Sequence, residues 1–190
     1  MKNVLKQLFA NIWFVFVLIR LKIFSKVLGF KYVCRMITLL DERLLVNVLR
    51  SFGAKIGENV DIGYGIMFHN CKDFRNLTIG DNCHIGKECF FDLRDRVSIG
   101  NGVVISMRTT FLTHIDMTKS ELSKYYQAYH APVVIQDNVY IGAVSTVLSG
   151  VEIDANSLIG ANSLVNKSCL PNSIYIGVPA KLKKAINFDE

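Results

Sequence analysis

The chain has 190 residues, 51% of them hydrophobic, with 22 Lys and Arg against 16 Asp and Glu. That length suits one domain with an appendage and is enough to bury a real core, and the apolar content is high for a soluble protein. The positive excess is confined: residues 1–55 hold ten basic and two acidic residues, whereas the other twelve basic residues meet fourteen acidic ones. Because that basic quarter is also the most apolar, it points to anionic lipid and away from nucleic acid.

The first predicted element is an apolar run, "LFANIWFVFVLI" (Leu8–Ile19), closed by Arg20 and Lys22. As a helix it is about 18 Å long, short against a hydrocarbon core of about 30 Å. "IRLKIFSKVLGF" offers no signal-peptidase site. Three readings remain open: a helix in the membrane interface, a helix packed on its own domain or a partner subunit, and a span. The flanking cations, which snorkel towards headgroups, favour the first. Leu39–Leu49 predicts a second helix leading into the main domain.

From residue 56 the chain becomes periodic. Aliphatic residues recur every six positions at Ile135, Ile141, Val147, Ile153, Ile159 and Val165. Shorter runs of the same spacing are Ile56–Ile62–Phe68, Ile79–Ile85–Phe91 and Ile99–Ile105–Phe111. Neither a helix nor simple strand alternation has this period; it is that of a parallel β-helix built from hexapeptides. The second hexad position is repeatedly Gly, which suits a positive φ or a close backbone approach. The fifth is small or β-branched, so Cys83 and Cys89 read as core thiols. Triplets beginning at 56, 79, 99, 135 and 153 predict about five coils. The five cysteines (34, 71, 83, 89, 169) are odd in number and contain no CxxC pair, which fits a reducing compartment rather than a disulfide framework or zinc ribbon.

The repeat is interrupted most between Phe111 and Ile135, where about eighteen extra residues are inserted. Long excursions from a compact solenoid are usually functional. This one begins at "FLTHID" (Phe111–Asp116) and forms a loop over residues 112–132. The organisation expected is therefore a helical, basic segment over 1–55, a β-helix over 56–184 and a short tail over 185–190.

Together, the hexad repeat, "THID", "APVVIQDNVYIGAVSTVLSGVEI" and the exit segment "GVPAKLKK" (Gly177–Lys184) resemble the hexapeptide-repeat acyltransferases, in particular sugar and polysaccharide O-acetyltransferases. The resemblance covers residues 56–184. It implies a mainly β fold, a left-handed parallel β-helix, although the general rule for parallel crossovers would favour the right hand. It also implies acetyl transfer from acetyl-CoA to a saccharide hydroxyl, a homotrimer with clefts between subunits, and no metal.

The same resemblance makes His114 the general base. An imidazole with an ordinary pKa near 6.5 suits removal of a hydroxyl proton near neutrality. Asp92, Asp116 and His130 are the candidates for contact with the acceptor, Asp92 or Asp116 alternatively orienting the imidazole. Tyr140, Gly142, Ala143, Gly160, Ala161, Asn166, Lys167, Lys181 and Lys184 are those for acetyl-CoA, the small residues for the pantetheine arm and the lysines for phosphate. His84 reads as a solvated face residue and His69 as structural; no two histidines have the spacing of a γ-type carbonic anhydrase zinc site. A serine acetyltransferase and a non-catalytic β-helical scaffold are the alternatives. With a cytosolic co-substrate and a basic apolar N-terminus, the expected location is the inner face of the cytoplasmic membrane, near a lipid-linked glycan acceptor.

Overall fold

A computed structural model describes residues 2–187. Three helices come first: α1 (Lys2–Val27), α2 (Phe30–Ile37) and α3 (Glu42–Ser51). The helix expected at Leu39–Leu49 begins instead at Glu42, because Asp41 caps it by accepting the Leu44 N–H at 3.0 Å. A separate α2 precedes it, starting after Gly29 at φ 83°. The last residues of the expected tail, 188–190, lie outside the described ones.

The hexads then wind into a triangular prism. One face stacks Lys55–Ile56, Leu77–Ile79, Val97–Ile99, Val133–Ile135 and Glu152–Ile153. The second stacks Asp61–Ile62, His84–Ile85, Val104–Ile105, Tyr140–Ile141, Leu158–Ile159 and Ser173–Ile176, and ends with Lys181–Ala185 folded back antiparallel. The third stacks Met67–His69, Phe90–Asp92, Thr110–Phe111, Thr146–Val147 and Leu164–Val165. Five coils are thus complete, and Ser173–Ile176 opens a sixth, which the sequence spacing misses because a proline-containing stretch replaces a regular hexad there.

The first hexad positions lie in register and fill the prism. Ile62, Ile85, Ile105, Ile141 and Ile159 form one column, each at most 2% exposed. Phe68, Phe91 and Phe111 stack in another, with centroids 5.6 and 5.0 Å apart. Burial of each such side chain is worth about 1.5–3 kcal/mol, so the periodic columns carry most of the driving force.

The two reasons offered for second-position glycine separate cleanly. None of Gly57, Gly63, Gly80, Gly86, Gly100, Gly142 and Gly160 lies at positive φ; that conformation falls at the fourth position instead, for example at Asn59, Asn82, Asn138 and Asn156. Asparagine tolerates it best after glycine. Glycine is needed for close approach: a Cβ on Gly142 would stand 2.7 Å from the Ala161 Cα of the next coil.

The helices cover the open end of the first coils. Val33, Ile37, Leu45, Val48 and Leu49 are buried, and Phe30, Phe52 and Phe68 surround the fully buried Phe74 at centroid distances of 5.1 Å (Phe30) and 4.8 Å (Phe68), with Phe52 at 6.4 Å. α1 packs on α2 through Leu21 and a Phe24–Tyr32 ring contact of 5.0 Å. Its opposite side, Ile12, Phe16, Ile19, Ile23 and Val27, stays 53–71% exposed. No helix among the described residues is long and apolar enough to cross a membrane.

Candidate active site

The inserted loop leaves the prism at the corner that follows the third face. It is an ordered excursion: His114–Ile115 pairs antiparallel with Tyr129–His130, and a short 3-10 turn, Glu121–Lys124, lies between them. The Tyr129 hydroxyl donates to the Ser149 carbonyl at 3.3 Å and ties the return strand to the coil.

His114 is placed by what lies beneath it. The third-face strand Phe90–Asp92 ends with a carboxylate that is 0% exposed, directly under the loop's exit. Asp92 Oδ2 accepts from His114 Nδ1 at 2.5 Å and from the Thr113 N–H and hydroxyl, each at 2.9 Å. Its Oδ1 accepts from the Asn70 amide at 3.0 Å. Burial alone would raise this carboxyl, but the bonds from His114, the Thr113 N–H, Asn70 and the Thr113 hydroxyl outweigh it and hold it below the usual carboxylate value. An ionised Asp92 favours the proton on Nδ1 and so leaves the lone pair on Nε2. Asn70 Nδ2 stands 3.4 Å from Nδ1 and 3.2 Å from Nε2, close enough to both nitrogens to brace the ring. The ring itself is accessible, with 24% of the side chain exposed.

The three residues considered for acceptor contact separate. Asp92 is too deeply buried to touch an acceptor; it holds the imidazole. Asp116 does not orient the ring: its Oδ1 accepts from the Thr118 N–H and hydroxyl at 2.9 and 2.7 Å, and Arg94 lies 3.6 Å away. This local turn, with help from Arg94, keeps its carboxyl below the usual value. His130 does stand beside the site, as the cross-strand partner of His114, with Nδ1 2.7 Å from Asp95 Oδ2. Asn70, Thr113 and Asp95 escape the sequence reading. Thr113 was signalled only by its place before His114, and Asn70 by an asparagine at an interruption of the repeat.

The residues considered for acetyl-CoA fall on two different corners of the prism. A groove of about 450 Å³ runs along the corner after the second face, lined by Tyr64, Lys87, Ser106, Met107 and Ala143 among others. Tyr140 borders it and accepts from the Ser106 hydroxyl at 3.1 Å. Ala161 occupies the same hexad position one coil further on. Beside the groove Val144 is held at φ 61°, a conformation that is strained for a β-branched residue. Tyr140, Leu158, Ile174 and Lys184 align in one cross-strand row, and Lys181 pairs with Ile176 on the same face. Asn166 and Lys167, by contrast, are exposed at the corner from which the loop departs. Gly142 and Gly160 are not ligand-facing gaps: the space of their missing Cβ is filled by Ala161 and by the Ile176 side chain, 2.6 Å away. His84 is exposed and paired with Asp61 at 2.7 Å, and His69 lies 6.1 Å from the Phe90 ring. Among the described residues no three His, Cys, Asp or Glu side chains gather as a metal-ligand set.

Two family models match the solenoid: the bacterial transferase hexapeptide (six repeats) over residues 132–167, and the hexapeptide repeat of succinyl-transferase over residues 76–107. A galactoside O-acetyltransferase of Escherichia coli (strain K12) is 31% identical over 147 residues, covering 74% of this chain and 68% of the relative. A putative colanic acid biosynthesis acetyltransferase of the same strain is 31% identical over 134 residues, covering 70% of each. Among solved structures, a galactoside acetyltransferase in complex with coenzyme A superposes with a TM-score of 0.62 at 25% identity, over 84% of this chain and 80% of that one.

Proposed function

Since the chain belongs to the hexapeptide-repeat acyltransferases, left-handed β-helix enzymes that take the acyl group from acyl-CoA, we propose that it acetylates a hydroxyl of a saccharide, with His114 as the base. The observation that carries this reading is the buried Asp92 carboxylate 2.5 Å from His114 Nδ1. His114 Nε2 takes the proton of the acceptor hydroxyl as its oxygen attacks the thioester carbonyl of acetyl-CoA. The imidazolium that forms is stabilised by Asp92 and returns its proton to the departing CoA thiolate. The products are an acetyl ester and free CoA. A positioned base of this kind contributes about 10²–10⁴ in rate. Calorimetry with acetyl-CoA, followed by a mass-spectrometric screen of sugar acceptors, tests the reading: a scaffold binds no acetyl-CoA, and a serine acetyltransferase acetylates serine but no sugar.

The site reads as shared between subunits of a homotrimer. The loop carrying His114 leaves one corner, while the groove with Ala143 and Lys87 occupies the next, so a neighbour's groove facing this loop would complete the cleft. Leu122, Tyr125 and Tyr126 on the loop are 51–80% exposed, the kind of apolar surface a neighbour covers. In a closed threefold ring such a cleft occurs three times. Mixing an inactive His114→Ala chain with an inactive Ala143→Trp chain would then restore part of the activity, since some clefts receive both intact halves. Absence of any recovery in proven mixed trimers would count against shared clefts.

The acceptor is best read as a glycan carried at a membrane surface, met on the cytosolic side where acetyl-CoA is found. The exposed stripe Ile12–Phe16–Ile19–Ile23–Val27, flanked by Arg20, Lys22 and Lys26, suits an anionic interface. Phe16→Glu with Ile23→Glu should abolish sedimentation with anionic liposomes while leaving the trimer intact. Dissociation of the trimer by the same pair would assign the stripe to subunit packing.

A further inference from the structure

Cys34 and Cys71 are far apart in sequence and meet in space. Their sulfurs lie 3.5 Å apart, one on α2 and the other in the turn that follows the third-face strand Met67–His69. Among the described residues no other cysteines approach each other: Cys83 and Cys89 point their thiols at the carbonyls of Gly100 and Ser106, and Cys169 at that of Lys167. Both members of the pair are half-buried. The contact between the two sulfurs, in which either S–H can donate, holds the Cys34 thiol below its ordinary value; the same contact and burial push Cys71 up. One sulfur is therefore the better nucleophile and the other its waiting partner.

The neighbours of each cysteine say where a bond between them would act. Cys34 is flanked by Val33 and Ile37, both at most 1% exposed, which anchor α2 on the end of the prism. Cys71 directly follows Asn70, held at φ 55° with its amide against Asp92 and His114. Closing the sulfurs from 3.5 Å to the bonding distance of about 2.05 Å requires about 1.5 Å of approach. Side-chain rotation takes up part of this approach; because the helix is the anchored side, the backbone shift that remains falls on the turn carrying Cys71 and on Asn70.

We propose that Cys34 and Cys71 are a reversible redox modification site for a peroxide, whose disulfide pulls Asn70 away from His114 and slows the transfer reaction. The second half rests on the function proposed above; the first does not. The Cys34 thiolate attacks hydrogen peroxide, the O–O bond breaks, and a sulfenic acid forms as hydroxide leaves and is protonated to water. The Cys71 sulfur then attacks the Cys34 sulfur, the S–O bond breaks, and the departing hydroxide takes the Cys71 proton as a second water. Two thiols are oxidised and one peroxide is reduced; a small-molecule dithiol reverses the change.

The test uses the full chain with graded hydrogen peroxide. Thiols counted under denaturing conditions should fall from the five present to three, with a single Cys34–Cys71 cross-link in the peptide map. Turnover should fall about tenfold or more, as a misplacement of about 1 Å in a site can cause, and a dithiol should restore it. Cys34→Ser, with Cys34→Ala as a second variant, should keep the reduced protein's turnover and lose its response to peroxide. The NMR titration of the His114 ring should differ between reduced and cross-linked wild type, a readout independent of any acceptor. No cross-link at saturating peroxide overturns the site. A complete cross-link that leaves turnover and the His114 titration unchanged overturns its link to Asn70. Reduced protein that binds no acetyl-CoA would instead sink the proposed function, while map and titration still decide the redox pair.

Discussion

Two histidine–aspartate pairs stand side by side at the loop's base, and they differ chiefly in burial. His114–Asp92 and His130–Asp95 have nearly equal separations, 2.5 and 2.7 Å, and their histidines face each other across one antiparallel pairing. The Asp92 side chain is 1% exposed and that of Asp95 22%; the His114 side chain is 24% exposed and that of His130 61%. In the low effective dielectric of the first pair, hydrogen bonds fix ring, tautomer and charge together. In the second, water competes for each partner, and such exposed pairs contribute little. Identical chemistry at matching distance therefore gives an oriented, partly buried imidazole in one place and a solvated pair in the other.

The largest contrast is expected from the histidines themselves. His114→Ala should reduce turnover by at least about 10² while thermal unfolding and acetyl-CoA affinity stay near wild type. Near-normal turnover in that folded variant would overturn the role of the base. Asp92→Asn comes next. It keeps the shape but presents an amide where five donors converge, so the tautomer is no longer fixed; a loss in turnover of about 10² is expected, with a destabilisation of about 1–3 kcal/mol from unmade buried bonds. Measuring kcat and chemical unfolding on the same variant separates the two.

The pH dependence sharpens the comparison further. The folded Asp92 carboxyl is held below its unfolded value of about 3.9. Its charge therefore stabilises the fold fully above that value, and the contribution is lost as pH falls through the lower folded one. The stability gap between wild type and Asp92→Asn should shrink below about pH 4. Asp95 is shifted the same way, burial opposing the bonds from His130 and the Arg96 N–H, but solvent screens it. The corresponding gap for Asp95→Asn should be small throughout, and equal gaps would erase the distinction drawn from burial.

The smallest effect is expected from His130→Gln, which should change kcat by less than about threefold, with any loss appearing in KM for the acceptor. A loss as large as that of His114→Ala would make His130 the equal partner of His114.

The repeat was legible because a solenoid is nearly one-dimensional: each coil contacts only its neighbours, so a column such as Ile62–Ile85–Ile105 is written directly as spacing in the chain. The break at Phe111 was legible for the same reason, and it located His114. Asp92 was a candidate for the acceptor or for the imidazole, yet its burial, and that it rather than Asp116 holds the ring, were not legible, because both depend on a loop emerging one coil later. Asp116, two residues from His114 in sequence, turned instead to its own Thr118. The cofactor candidates looked like one list but lie on two corners, since hexads that follow one another point to different faces.

By itself, then, the sequence determined the period, the columns that fill the prism, the place of the inserted loop and its histidine, because these follow from local spacing and the burial of apolar side chains. Only the tertiary structure decided which carboxylate reaches that histidine, that Asn70 and Thr113 complete its shell, and that Cys34 meets Cys71. Those contacts join residues on different coils or on helix and coil, and their strength is set by how completely packing excludes water around them.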